Sequence, residues 1–228
     1  YVFNRGDGID TIYDDSTGAD AGVLVFGVGI APQDISLGLG SLVLDLGGGD
    51  AIHIANFNPD DPFSTPAFES FNFSDGTSIG WDELLARGIA VEGTENGDNL
   101  AGTAVDDSIH GFAGSDFLYG FAGNDTLDGG SGFDYLSGGE GDDTYLFGRD
   151  SYYDNVDQTD AGANDNDVIV IGEGVTLNDV TVSREEGGYS LSINNADQSE
   201  NDDDDAVMNV YSEAEIHHRI IVVILRLV

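Results

Sequence analysis

A chain of 228 residues with 44 Asp and Glu against 6 basic residues, all of them Arg, has a formal net charge of −38, which makes nucleic acid and anionic membrane surfaces poor partners. Cysteine is absent, so disulfides are excluded. An apolar content of 40% allows two or three small cores and argues against disorder throughout.

The chain opens with YVFNRGDGIDTIYD. Gly6, Gly8, Asp10 and Ile12 occupy the second, fourth, sixth and eighth places of a nine-residue figure that is complete only further along. Residues 1–15 therefore read as the end of a preceding repeat block, and the chain as a fragment. After VLVFGVGIAPQDISL (23–37) come SLVLDL and DAIHIANF, which alternate as half-buried strands do, with GGGD between them as a tight turn. FESFNFSDGTSIGWDELLARGI predicts a strand, a turn at Asp75-Gly76 and a short helix from about Trp81 to Arg87 stopped by Gly88. Residues 16–91 thus form a small β-rich module.

From Gly93 to Leu146 the nine-residue frame runs through six consecutive repeats without insertion. The first place is Gly in all six, as Gly93, Gly102, Gly111, Gly120, Gly129 and Gly138. The sixth is always Asp, as Asp98, Asp107, Asp116, Asp125, Asp134 and Asp143, and the eighth is large and apolar, as Leu100, Ile109, Leu118, Leu127, Leu136 and Tyr145. Self-similarity at a short fixed period marks a solenoid, whose repeats bury apolar surface only by stacking.

Beyond the block, VIVIGEGVTLNDVTV (168–182) matches 23–37 at a constant offset of 145, through Gly27/Gly172, Gly29/Gly174 and Asp34/Asp179. YSLSIN and DAVMNVY flank an acidic loop, 195–205, and the chain closes on EIHHRIIVVILRLV. Residues 148–228 read as a second, divergent or incomplete copy of the β-rich module. The run IIVVILRLV falls far short of the roughly 20 residues a membrane helix needs, so it is expected to be a buried strand without direct membrane insertion.

The repeats at 111–119, 120–128, 129–137 and 138–146 closely resemble G-G-x-G-x-D-x-U-x, the nonapeptide of haemolysin-type, repeat-in-toxin (RTX) proteins. The FxDGTxxxWxxL stretch resembles the haemolysin-type calcium-binding related domain. Fold class is expected to be all-β, a parallel β-roll over 92–147 flanked by small β-rich modules with one short helix. Each nonapeptide divides into a six-residue turn, eased by glycines, and a three-residue strand. Two repeats make one coil, so same-side turns recur every eighteen residues. Carboxylates stacked at the strand spacing of about 4.8 Å repel by roughly 3 kcal/mol at an effective dielectric of 20, and a cation between rungs reverses the sign. Turns that offer only carboxylate and carbonyl oxygen suit calcium and not zinc. A metal-free β-helix would use Asp, Asn, Ser and Gly interchangeably in its turns, whereas six sixth places out of six are Asp.

What the resemblance implies is an ion between successive same-side turns, held by two carbonyls and the Asp of each. On this sequence one site takes Phe112, Gly114 and Asp116 with Gly129, Ser131 and Asp134. The next takes Phe121, Gly123 and Asp125 with Gly138, Glu140 and Asp143. Weaker sites are expected at Asp98/Asp116, because Asn96 stands where Gly is expected, and at Asp107/Asp125, with Thr103, Val105, Gly120 and Ala122, because Val105 replaces another. Phe112 and Phe121 in place of the second Gly are expected to strain their turns.

No GxSxG, HExxH, Walker A or dinucleotide fingerprint is present, so no catalytic residue is assigned. His53 and His110 read as ordinary strand residues, and His217-His218 would point to opposite faces of a strand. Asp61-Pro62 matches the bond at which some relatives cleave themselves, yet turn chemistry accounts for it. The resemblance implies a non-enzymatic, secreted, extracellular calcium-binding module that folds on calcium after passing the type I secretion machinery. The alternatives are the tail of a secreted enzyme with a glycan or cell-surface ligand, for which Trp81, Tyr152 and Tyr153 are the aromatic candidates, or a calcium-stiffened adhesin spacer.

Overall fold

The computed structural model describes residues 1–13, 22–39, 42–59, 62–63, 68–158, 166–172, 174–185, 188–194, 206–211 and 221–224. Asp61, His217-His218 and the acidic loop 195–205 lie outside them. The chain divides into two compact units, Tyr1–Ala90 with Thr103–Asp106, and Val91–Gly102 with Asp107–Val228.

In the first unit, β1 (Val2–Phe3), β2 (Ile9–Ile12), β3 (Gly22–Phe26), β4 (Ser36–Gly38), β5 (Leu42–Gly47), β6 (Asp50–Ile54), β7 (Phe68–Asn72) and β8 (Ser78–Gly80) precede α1 (Trp81–Leu85). Strand β1 pairs with β3 and β3 with β7, both in parallel. On the other side β2 pairs in parallel with β6, which continues into the antiparallel hairpins β6–β5 and β5–β4. Alternation does the sorting: Leu42, Leu44 and Leu46 of β5 and Ile52 and Ile54 of β6 turn inward and are buried. The helix stops one turn after it starts, and Gly88 at φ 82° makes the left-handed exit that glycine allows cheaply. Trp81 is a core residue: it is buried, stacks on Phe71 at 6.1 Å and donates its indole N–H to the Pro62 carbonyl at 2.8 Å.

Strand β9 (Ile89–Thr94) leads to the roll. One face consists of β10 (Asn99–Ala101), β12 (Phe117–Ala122), β14 (Ser131–Glu140), β16 (Tyr152–Asp157) and β20 (Ala206–Tyr211). The other consists of β11 (Asp107–Gly114), β13 (Thr126–Asp128), β15 (Thr144–Phe147), β17 (Val168–Ile171) and β21 (Ile221–Ile224). All these neighbours are parallel, as in Leu100↔Leu118↔Leu136↔Val156↔Val210 and Ile109↔Leu127↔Tyr145↔Ile169. The eighth-place side chains are the ones that stack inside: Ile109, Leu118, Leu127, Leu136 and Tyr145 are all buried. Period eighteen holds through the nonapeptides, and the ladder runs past residue 147 into β16 and β17 with longer steps.

The second unit then repeats the pairing plan of the first. Strand β20 is joined in antiparallel fashion to β19 (Gly188–Ile193), and β19 to β18 (Val180–Glu185). The order β16–β20–β19–β18 thus reproduces β2–β6–β5–β4, and β15–β17–β21 reproduces β1–β3–β7. An arginine clamp is duplicated with it. Arg5 donates to the Gly29 carbonyl at 3.0 Å and to Asp34 at 3.1 Å, and Arg149 to the Gly174 carbonyl at 3.3 Å and to Asp179 at 3.1 Å.

The glycines at the fourth place answer two demands at once. Gly132 sits at φ 143°, and a Cβ there would lie 1.5 Å from the Gly114 carbonyl oxygen of the rung below. Gly6 has φ 88° but open space around it. Gly132→Ala is therefore expected to cost on the order of 3 kcal/mol or more, since rungs must separate. Gly6→Ala should cost only the left-handed strain of about 1 kcal/mol. Urea unfolding of the two variants in calcium checks the difference.

Candidate calcium site

Placing a β-branched or aliphatic side chain two residues after each Asp pins the strand inward, which sets the Asp itself at the end of the preceding turn. The result is a ladder of carboxylates along each edge of the roll. On one edge the Asp98 amide donates to Asp116 Oδ1 at 2.8 Å and the Asp116 amide to Asp134 Oδ1 at 3.0 Å. On the other, the Asp107 amide donates to Asp125 at 2.8 Å and the Asp125 amide to Asp143 at 2.9 Å. Each carboxylate is thus held by the backbone of the rung below through one oxygen.

The second oxygen folds back over its own repeat's first glycine. A Cβ at Gly111 would fall 2.5 Å from Asp116 Oδ2 and 2.5 Å from the Gly129 carbonyl oxygen, so only glycine leaves room. Asp116 Oδ2 and Asp134 Oδ2 are buried without a hydrogen-bond partner. Both carboxyls are accordingly pushed above their ordinary range, first by burial and then by the charge of the Asp one rung away, Asp98 for Asp116 and Asp116 for Asp134. A buried carboxylate oxygen with no donor in reach is costly, and a cation removes that cost.

The first expected ligand set is brought together. Ala113↔Ser131 and Gly114↔Gly132 are in register, and the Phe112 carbonyl oxygen would lie 2.0 Å from a Cβ placed on Gly130, which puts the carbonyls of Phe112 and Gly114 against the turn Gly129–Asp134. In the second set Phe121 and Gly123 meet Gly139 and Gly141 in the same way, beside Gly138. The Glu140 carbonyl already accepts from the Gly123 amide at 2.9 Å, which leaves it one lone pair. Gly120 and Ala122 continue in β12, with Ala122 opposite Glu140. Val105 joins the hydrophobic cluster of the first unit, and Thr103, also in that unit, receives the Val105 amide on its hydroxyl at 3.3 Å. Asp98 at the outer end of its ladder gives Oδ2 to the Thr94 amide and hydroxyl at 2.7 and 2.8 Å. Among the described residues no three Asp, Glu or His side chains converge. Carbonyl oxygens must therefore complete any coordination shell, as a hard cation with six to eight oxygen ligands permits.

Phe112 and Phe121 do sit in the left-handed region, at φ 74° and 78°. Their rings stay outside the roll, where Phe112 stacks on His110 at 5.1 Å, and His110 pairs with Asp128 at 2.7 Å. Two further ladder members escaped the nonapeptide frame. The Asp143 amide donates to Asp167 at 2.8 Å, twenty-four residues on, and Asp154 stacks on Asp134, twenty residues on. The missed signal was the spacing to the apolar residue: Asp154 precedes Val156, and Asp167 precedes Ile169, by the same two places as in the nonapeptides.

The family model for the RTX calcium-binding nonapeptide repeat, in four copies, matches residues 92–120 and 119–152. This is an RTX calcium-binding repeat block. Such repeats bind calcium, and the stacked carboxylates are where this RTX roll offers oxygen ligands. No curated protein matches the chain. Among solved structures, the AlgE6R2 subunit of the mannuronan C5-epimerase of Azotobacter vinelandii is 29% identical, covers 56% of this chain and 86% of its own, with a TM-score of 0.43. The AlgE6R3 subunit of the same enzyme is 28% identical over 52% of this chain and 72% of its own, with a TM-score of 0.37. The extracellular lipase LipA of Serratia marcescens is 17% identical, covering 95% of this chain and 34% of its own, with a TM-score of 0.33.

Asp154 carries the pH dependence of the calcium-free roll. Burial, and then the charge of Asp134, raises its carboxyl from 3.8 to about 9. The folded chain holds this proton across a window in which the unfolded chain has released it, so the calcium-free fold is more stable at the acid end and loses stability as pH rises toward 9. Far-UV circular dichroism of the calcium-free chain should show more β structure at about pH 5 than at about pH 8; the opposite trend would contradict the burial of Asp154.

Proposed function

We propose that the chain is the calcium-binding module of a secreted RTX protein, and that it folds when it meets calcium outside the cell after type I export. The observation that carries this reading is the pair of buried oxygens, Asp116 Oδ2 and Asp134 Oδ2, that fold back over Gly111 and Gly129 with no donor. The proposed ligands are Phe112, Gly114, Asp116, Gly129, Ser131 and Asp134 for one ion, and Phe121, Gly123, Asp125, Gly138, Glu140 and Asp143 for another. Asp98 and Asp107 begin weaker sites. In cytoplasm poor in calcium the carboxylates repel and the chain stays extended; calcium at roughly 0.1 to several mM, the range of extracellular modules, closes the roll. Binding free energy then becomes folding free energy.

A calcium titration followed by far-UV circular dichroism, with magnesium as the control, should give a cooperative gain of β signal in that range. Asp125→Ala, which removes a side chain shared by the ions above and below it, should shift the midpoint by at least about tenfold, the loss that even an outer-shell partner causes. Glu83→Ala, on the exposed face of α1, should not. A chain already β-rich without calcium and indifferent to it, or equal midpoints in the two variants, would overturn the proposal.

A further inference from the structure

The carboxylate ladder on one edge of the roll does not end where the nonapeptides end. Asp134 is the last nonapeptide Asp on its edge, and Asp154 stacks directly upon it across β14 and β16. Two extra residues lengthen this step from eighteen to twenty. The turn conformation survives the insertion: Tyr152 stands opposite Gly132 and holds φ 59°, a left-handed backbone that a Tyr rarely adopts. A turn kept at that cost positions something.

What it positions is a carboxylate in an environment that no isolated carboxylate tolerates. Asp154 is 1% exposed, and neither of its oxygens makes a hydrogen bond of normal geometry. Its charged neighbours are Asp134 and Asp128, both of its own sign. Asp128 lies 2.7 Å from His110 Nε2, and β13, β14 and β16 carry no Arg or Lys.

The internal duplication points to the same residue independently. Asp154 pairs with Met208, and Met208 with Leu191 of the hairpin; in the first unit Asp10 pairs with Ile52, and Ile52 with Leu44. Asp10 and Asp154 thus hold one position in the two copies. Gly8 at φ 87° corresponds to Tyr152. Both copies place a carboxylate on the strand that pairs with the hairpin: Asp10 is exposed, whereas Asp154 is buried at a position that would favour an apolar side chain.

We infer that Asp134 and Asp154 hold a further calcium ion at this junction, and that this ion couples calcium binding in the roll to ordering of the β16–β20–β19–β18 sheet. The inference rests on the calcium reading of the roll given above. Its remaining ligands are carbonyls of the turns that end at Asp134 and Asp154, together with water; the all-oxygen donor set selects a hard cation. The coupling is direct, because β16 pairs residue by residue with β14 on one side and with β20 on the other. An ion clamping Asp134 to Asp154 fixes β16, and β16 is the template on which Ala206–Tyr211 aligns.

The test uses the full chain as wild type, Asp154→Asn and Asp154→Glu. Bound calcium is counted by equilibrium dialysis, and amide hydrogen exchange is followed separately over β12–β14 and β20. Wild type should bind one ion more than Asp154→Asn. Asp154→Glu should keep that ion with an affinity lower by about tenfold or more. In Asp154→Asn, calcium should still protect the amides of β12 and β14 but no longer those of Val207–Tyr211. Should Asp154→Asn not fold, the affinity loss in Asp154→Glu decides. Equal stoichiometry and affinity in the folded variants, or calcium-dependent protection of β20 that survives in Asp154→Asn, would overturn the inference and leave the roll's calcium sites standing. Failure of wild type to bind calcium at all would instead remove the reading on which it rests.

Discussion

Everything in the second unit depends on stacked carboxylates that share one hydrogen-bonding scheme. Asp116, Asp125, Asp134 and Asp143 each spend one oxygen on the amide of the Asp a full coil below, at 2.8–3.0 Å along both edges. That bond aligns the turns and orients the second oxygen inward over a glycine, where water is excluded. The arrangement is therefore self-opposing as a protein and self-consistent as a protein with a cation. Repulsion of roughly 3 kcal/mol per neighbouring pair at an effective dielectric of 20 is comparable to the gain from burying one Leu per repeat, on the order of 2 kcal/mol. Apolar stacking alone therefore has little margin over the repulsion, and a bound cation would stabilise the fold directly.

The rest of the nonapeptide follows from the geometry of that bond. Glycine is required at the first place by the folded-back carboxyl and at the fourth by a close carbonyl together with a positive φ, as Gly111 and Gly132 show. The second place needs the positive φ throughout and, at Gly130 and Gly139, room for a close carbonyl as well. Phe112 and Phe121 can pay for it with a left-handed strain of about 1–2 kcal/mol each, because their side chains point away from the stack and remain half exposed. Tolerance at the second place thus depends on the rung: Phe112 and Phe121 are accommodated, whereas a Cβ at Gly130 or Gly139 would meet the carbonyl of the rung below.

Legibility in the sequence followed strictness of period. From Gly93 to Leu146 no turn is lengthened, so the roll, its inward residues and its Asp edges could be read directly. The module was legible through the 145-residue offset and through alternation in SLVLDL and DAIHI, both of which became strands with alternate residues buried. Asp154 and Asp167 were hidden because their coils are lengthened by two and six residues, and a fixed frame loses its place after the first insertion. Three-dimensional stacking does not: a turn can swell outward while the strand after it returns to register. The local figure of Asp two places before an aliphatic residue survives insertion and is the better guide. Trp81, an aromatic candidate for a ligand whose plainer home is the core, is held there by Phe71 and the Pro62 carbonyl.

A parallel solenoid has ends, and its last rung offers unpaired backbone to whatever comes next. Here the β16 face passes to β20 in parallel and then reverses direction at β19 and β18. Reversal changes the hydrogen-bond pattern from slanted to perpendicular, so no nonapeptide rung can add beyond it in the old register. The same reversal, β6 to β5 to β4, follows β2 in the first unit. Parallel pairing followed by a reversing hairpin therefore recurs in both units, a stack followed by a stop. A stop made of ordinary strands has no need of metal for its own pairing, yet its first strand, β20, must align on β16, which continues the roll. The carboxylate at Asp10 and Asp154, on the one strand common to both parts, stands where those two requirements meet.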